Sequence, residues 1–174
     1  MINRLFWQIT RIFTADMKAV KKGILAIFLV SAVFGPNKVR VLTFEELEKS
    51  TLKNNDTLYV VNFWATWCRP CVAELPFFLE TAKKNANQKV KIVFASLNAV
   101  KELENVQKFT DTKNILQNVF ILNAGNPNAW LDKVDKSWDG SIPATAMYKN
   151  GKKVFFREGE FTQTEIDSII NLKK

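Results

Sequence analysis

From residue 39 onward, short apolar runs alternate with stretches in which apolar side chains recur every three or four positions, the pattern of strands interleaved with helices. Val39 to Leu42 predicts a short strand. Thr43-Phe44-Glu45-Glu46 then has the form of a capping box, with Thr at the N-cap and Glu three positions on, and opens a helix to about Ser50. Asp56 to Trp64 is rich in β-branched and aromatic residues, as a buried strand should be. Beyond it Leu75, Phe78, Leu79 and Ala82 return at helical spacing. Lys89 to Leu97 predicts a second strong strand, Val100 to Phe109 a helix, Asn118 to Leu122 a further strand and Asn126 to Val134 a short helix. Ala144 to Lys149 and Lys152 to Arg157 flank Asn150-Gly151, a two-residue type I′ hairpin signal. Thr162-Gln163-Thr164-Glu165 caps a last helix whose Ile166, Ile169 and Ile170 face inward. The order implies an α/β fold: a central mixed β-sheet flanked by helices. No internal repeat or low-complexity stretch interrupts it.

The N-terminus follows a different pattern. Lys18, Lys21 and Lys22 precede an apolar run from Gly23 to Phe34, shorter than the ~20 residues an uncleaved membrane span needs and of the length of a signal-peptide core. Export is the favoured reading, with Val30-Ser31-Ala32 offering small residues for cleavage; without cleavage, residues 17–35 would hold the protein at the membrane as a signal anchor. A buried core helix is the competing reading. Leu5, Phe6, Ile9, Ile12 and Phe13 have the spacing of a weak membrane-surface helix, although translation from Met17 would leave that stretch out. The chain thus divides into a basic N-terminal extension with its export segment, 1–35, and a globular domain, 36–174.

The net charge of +8 over 174 residues raises the question of a nucleic-acid partner. Half of it comes from the extension, where Arg4, Arg11, Lys18, Lys21 and Lys22 face Asp16 alone. In the rest, Lys83-Lys84, Lys152-Lys153 and Lys173-Lys174 are isolated pairs on solvated faces. No dense basic patch emerges, and nucleic-acid binding is not expected.

The chemistry concentrates in Phe63-Trp64-Ala65-Thr66-Trp67-Cys68-Arg69-Pro70-Cys71, which holds the only two cysteines of the chain. Cys68 falls at the strand-to-helix junction, where unpaired backbone N–H groups and the helix dipole favour a thiolate, and Arg69 beside it adds positive charge. Pro70 suits the first helical turn, where its missing N–H would have had no partner. Cys71 lies one turn further in, close enough to close a disulfide. The pair therefore reads as a redox dithiol/disulfide, with Cys68 as nucleophile and Cys71 as resolving thiol in exchange through a mixed disulfide. Trp67 belongs to a docking surface beside the nucleophile, whereas Trp64 points to the core.

Three blander readings compete. A zinc half-site would need further ligands, yet the chain has no other cysteine and no histidine, so no metal is expected. A purely structural disulfide across so short a loop would remove little unfolded-state entropy. Two inert buried thiols would fit free cysteines in general, but not their position between an aromatic strand and a helix.

The segment resembles the active site of thioredoxin-fold proteins, and specifically of the TlpA/ResA-like thiol-disulfide oxidoreductases of the bacterial cell envelope. Asn62 stands where thioredoxins proper usually carry a buried Asp, Val72-Ala73-Glu74-Leu75-Pro76 is similar to that branch's acidic residue followed by an apolar residue and Pro, and Ser141-Ile142-Pro143-Ala144-Thr145 matches its cis-proline loop. The resemblance covers most of Val39 to Lys174. It implies a thioredoxin-like fold in which the helix-strand-helix passage before the proline loop is an insertion. It implies a cis bond before Pro143, which an unaided reading would take as an ordinary trans turn. It gives Ile142 the role of offering backbone hydrogen bonds to an incoming peptide near the sulfurs. For Glu74 it implies tuning of the cysteine pair and relay of protons, against the alternative of a solvated helix carboxylate.

The function expected is that of a cell-envelope or periplasmic thiol-disulfide oxidoreductase, monomeric, reducing disulfides in exported proteins. No nucleotide, flavin or metal motif is present and no cofactor is expected, so the electrons come from a partner dithiol. In related systems that partner is a membrane protein, and apocytochrome c is one class of substrate. A dithiol oxidase or disulfide isomerase is the first alternative, since Arg69 should stabilise the Cys68 thiolate and shift the couple toward oxidation. A non-enzymatic binding module is the second.

Overall fold

The computed structural model describes residues 38–115, 118–123 and 125–174; the readings made above for the N-terminal extension and its export segment lie outside them. The elements follow one another as β1 (Arg40–Leu42), α1 (Phe44–Thr51), β2 (Leu58–Trp64), α2 (Arg69–Lys84), β3 (Val90–Ser96), α3 (Leu103–Thr112), β4 (Asn118–Leu122), α4 (Leu131–Val134), β5 (Ala144–Lys149), β6 (Lys152–Glu158) and α5 (Gln163–Lys173). The six strands form one sheet in the order β1-β4-β3-β2-β5-β6. β1, β4, β3 and β2 run parallel, and β5 and β6 are antiparallel to their neighbours, so the sheet is mixed as expected.

β2 is central, and its seven residues are all buried because both faces of the sheet are covered. Leu58, Val60 and Trp64 join Phe78, Phe94, Ile121, Ile166 and Ile170 in one core. Tyr59, Val61 and Phe63 turn the other way, into a second core with Phe44, Leu47, Trp130 and Trp138. The strand's period of two therefore sorts its side chains between the two cores. Asn62 is the exception, a fully buried polar side chain on the face toward α2.

The capping boxes read at Thr43 and Thr162 are both present: each Thr hydroxyl accepts the N–H of the Glu three residues on, and each Glu reaches back to the Thr N–H. Asn150 and Gly151 have φ of 51° and 69°, as the two central positions of a type I′ turn require. The turn docks on the loop before β2, where Asn150 N–H donates to the Asn55 carbonyl at 2.9 Å.

Two expected helices take a different form. The stretch from Val100 begins as a 3₁₀ turn, Val100–Glu102, and becomes α-helical over Leu103–Thr112. Asn126 to Val134, expected as one helix, is a 3₁₀ turn at Pro127–Ala129 followed by the single α turn of α4. The break is at Trp130, with φ −136° and ψ −22°. Its ring lies 5.5 Å from those of Phe44 and Trp138, and this aromatic cluster holds the residue out of helical conformation. The inserted passage is part of the sheet itself, since β4 lies between β1 and β3.

Candidate active site

β2 delivers the chain to the carboxyl end of the sheet, where Ala65, Thr66 and Trp67 turn it into α2. Asn98, just past the end of the neighbouring strand β3, holds this turn. Its Oδ1 accepts the Thr66 N–H at 3.0 Å, its Nδ2 donates to the Thr66 hydroxyl at 2.8 Å, and Glu102 and Ser96 fix the amide from behind. Asn98 is buried, so the turn is braced from within.

Cys68 is the N-cap of α2. Its sulfur accepts the Cys71 N–H at 3.3 Å, taking the place that a Ser or Asp oxygen has in ordinary caps. Pro70 lies in the first turn, where no N–H is needed. Cys68 and Cys71 are joined as a disulfide, with Cα atoms 5.3 Å apart. That excludes two inert free thiols, and among the described residues no group of three His, Cys, Asp or Glu side chains converges. The two sulfurs differ in access: Cys71 is fully enclosed, whereas Cys68 keeps 6% exposure at the rim. Trp67, Arg69 and Pro70 are exposed around it, Trp67 at 65%.

The Ile142–Pro143 peptide bond is cis. The Ile142 carbonyl oxygen lies 3.7 Å from Cys68 Sγ, which brings the proline loop against the outer sulfur. Trp138 holds this loop: its indole N–H donates to the Ser141 carbonyl at 2.8 Å while the ring packs 4.7 Å from Phe63. Asp139 accepts the Ser141 N–H at 2.8 Å, and the Pro143 carbonyl accepts from Gly159 at 2.8 Å.

Glu74 is 1% exposed, so the solvated-carboxylate reading gives way to a buried acid one turn beyond Cys71 on the same helix. Oε1 accepts from Asn62 Nδ2 and Oε2 from the Phe161 N–H, each at 2.7 Å. Asn62 Nδ2 also lies 3.2 Å from the Thr145 hydroxyl, two residues past Pro143. Burial pushes the Glu74 carboxyl up to about 7, against the pull of its two hydrogen bonds. A group poised there can take and return a proton near neutral pH.

The structure thus brings together every residue singled out from the sequence: Cys68, Cys71, Glu74, Ile142 and Pro143, with Trp67, Arg69 and Pro70 at the rim. Sequence reasoning missed Asn98, Trp138, Thr145 and the Phe161 N–H. Asn98 and Trp138 act through backbone groups of loops whose course is set by the fold, and Phe161 offers only its N–H, which no side-chain pattern marks. Thr145 alone had a signal, its place two residues after the proline.

The thioredoxin family model matches residues 38–129. The chain is 36% identical over 131 residues to the thiol-disulfide oxidoreductase ResA of Oceanobacillus iheyensis, covering 73% of this chain and 64% of that protein. It is 29% identical over 131 residues to ResA of Bacillus subtilis, covering 75% of this chain and 68% of that protein. The chain therefore spans less than two thirds of the Oceanobacillus protein's length. The crystal structure of a thiol:disulfide interchange protein from Chlorobium tepidum superposes with a TM-score of 0.57 at 26% identity, over 70% of this chain and 81% of that one.

Proposed function

The chain belongs to the thioredoxin family, and from that premise we propose that it is a thiol-disulfide oxidoreductase of the cell envelope that reduces disulfides in exported proteins. The observation that carries the reading is the asymmetry of the pair: a rim sulfur, Cys68, at a helix N-terminus beside the proline loop, bonded to an enclosed Cys71 with a buried acid one turn on. Similarity to the ResA proteins supports the chemistry, and the apolar run after Lys22 supports export.

In the reduced protein the Cys68 thiolate, favoured by the backbone N–H groups of the first turn of α2, attacks one sulfur of a substrate disulfide. The substrate S–S bond breaks, its other sulfur leaves as a thiolate and takes a proton, and Cys68 is joined to the substrate. Cys71 then passes its proton to Glu74, and its thiolate attacks Cys68 Sγ. The second substrate sulfur leaves as a thiolate and takes up the proton that Glu74 releases, so the substrate departs with both sulfurs reduced and the Cys68–Cys71 disulfide carries the two-electron oxidation. Two electrons and two protons from a membrane dithiol protein restore the pair. Trp67 and the Ile142 backbone line the approach of the substrate chain.

Mechanism-based trapping tests this reading. Cys71→Ala should accumulate mixed disulfides through Cys68, and sequencing the captured proteins names the substrates; recovery no greater than with Cys68→Ala would count against it. Full biological function in the Cys68→Ser, Cys71→Ser double variant would leave a binding module as the reading. Exposed Arg69 beside the N-cap favours one second reading, a dithiol oxidase. A reduction potential near that of thioredoxin, about −270 mV, supports the reductase, and one near about −120 mV the oxidase.

A further inference from the structure

On the sheet face that carries α1, the helix ends at Thr51, and past it lie the amino-terminal ends of β3 and β4 with β1 beside them. The register sets Arg40 beside Phe120, Asn118 beside Val93 and Lys91 beside Tyr59, so four adjacent strands contribute to one surface. There the structure forms an open depression of about 250 Å³, floored by the buried Tyr59, Val93 and Phe120 and rimmed by Arg40, Lys53 and Lys91 with Ser50 and Asn118. Among the described residues no carboxylate lines it.

Three features suit this rim to an anion. Four cations elsewhere in the domain are paired, Lys84 with Asp167, Lys89 with Asp56, Lys153 with Asp135 and Arg157 with Glu165. Arg40, Lys53 and Lys91 make no such ion pair among the described residues, although all three border one concavity. Two of them are also held in place by aromatic faces, Arg40 at 4.8 Å from the Phe120 ring centre and Lys91 at 6.0 Å from that of Tyr59. Finally, the enclosed Tyr59 hydroxyl accepts from Asn55 Nδ2 at 3.3 Å, which leaves its own hydrogen to donate.

Converging positive charge without a counter-ion, backed by hydroxyl and amide donors, is complementary to a compact multivalent anion. We propose that this depression binds a phosphate group, with the Arg40 guanidinium contacting two of its oxygens and Lys53 and Lys91 supplying charge. The site lies at the end of the strands opposite the cysteines: Tyr59 is five residues before Trp64 in β2, about 16 Å at the rise of an extended strand. It is therefore separate from disulfide exchange, and its test does not depend on that chemistry.

The test is an amide NMR titration of the full-length, isotope-labelled chain with pyrophosphate, and separately with vesicles of phosphatidylglycerol or of phosphatidylcholine. Saturable movement of the Arg40, Tyr59, Lys91 and Asn118 resonances with pyrophosphate supports a site for soluble phosphate compounds. The same response with phosphatidylglycerol alone supports a lipid headgroup as the source. In either case affinity should weaken at least about tenfold in Arg40→Gln/Lys53→Gln/Lys91→Gln and fall with added salt. The exposed positions of the three substitutions should leave the thermal unfolding midpoint near that of the parent. The proposal is overturned if neither probe moves these resonances, if the two lipids act alike, or if the folded triple variant responds as the parent does.

Discussion

Asn62 in β2 donates from Nδ2 to Glu74 Oε1 in α2 across 2.7 Å, with both side chains enclosed. The bond ties the strand that leads into Cys68 to the helix that carries Cys71. The second carboxyl oxygen takes the Phe161 N–H, so the loop between β6 and α5 closes on the same acid. A carboxyl held this way cannot exchange hydrogen-bond partners with water, and its proton becomes part of the folding equilibrium.

Glu74 should make stability fall as pH rises. Its carboxyl lies near 7 in the folded protein against an ordinary value of 4.5. The folded chain therefore keeps a proton that the unfolded chain releases in between. The stabilisation from that proton is complete below 4.5 and is lost as pH rises through 7, a change on the order of 3 kcal/mol. Urea unfolding of the oxidised protein should give a lower midpoint at about pH 8 than at about pH 5, and Glu74→Gln should flatten the difference. An equal slope in the variant would show that the dependence arises elsewhere.

If Glu74 accepts the Cys71 proton, Glu74→Gln should slow the step that resolves the mixed disulfide and leave the first attack by Cys68 nearly unchanged. The expected loss is about 10²-fold, as for removal of a general base. Rapid-mixing measurements with a disulfide substrate, read as formation and decay of the mixed disulfide, separate the two steps. An equal loss in both would instead mean that Glu74 shapes the site as a whole.

Much of this was legible in the sequence because it rests on local rules. Thr43 and Thr162 announce their helices through Glu46 and Glu165, Asn150-Gly151 sets its own hairpin, and the position of Cys68 after an apolar strand makes it an N-cap. The pairing of β1 with β4 was not legible, since strand order depends on contacts between distant segments. The break at Trp130 was hidden for a related reason: Asn126 to Val134 carries no helix breaker past Pro127, and only the rings of Phe44 and Trp138 reveal why the helix stops. The burial of Glu74 could not be read from spacing either, because its partners lie 12 and 87 residues away.

Asn98 should prove a positioning residue. Asn98→Ala removes both contacts to Thr66 and leaves the Ser96 hydroxyl without its acceptor, a cost of about 2 kcal/mol. With the turn before Cys68 loosened, alkylation of the reduced Cys68 thiol should follow a shifted pH profile. Denaturant titration and alkylation rates check the two effects, and a stability loss with an unchanged profile would reduce Asn98 to a structural role.

Trp138→Phe should act on the proline loop alone. The ring remains to pack against Phe63, but the 2.8 Å bond to the Ser141 carbonyl is lost at a cost of about 1 kcal/mol. Because that bond holds the approach to Ile142, the variant should raise KM for a protein disulfide several-fold while turnover of a small disulfide stays near that of the parent. Equal effects on both substrates would mean that the loop does not contact the substrate chain.

Asn62→Asp should be tolerated at low pH and costly at high pH. It places a second carboxyl group within hydrogen-bond distance of Glu74, and the two cannot both ionise in an enclosed site. The Asn62 Oδ1 is enclosed and has no hydrogen-bond partner among the described residues, so an Asp oxygen there would carry charge with no donor to meet it. The pair should share one proton, retained well above neutral pH and titrating as a coupled unit. Relative to the parent, stability should be close at about pH 5 and lower by on the order of 3 kcal/mol at about pH 8. Carbon-13 NMR of the labelled carboxyl groups follows the titration, and urea unfolding at the two pH values follows the cost. If Glu74 titrates as in the parent and the destabilisation is the same at both pH values, the two side chains are not coupled, and the bond between Asn62 and Glu74 serves packing alone.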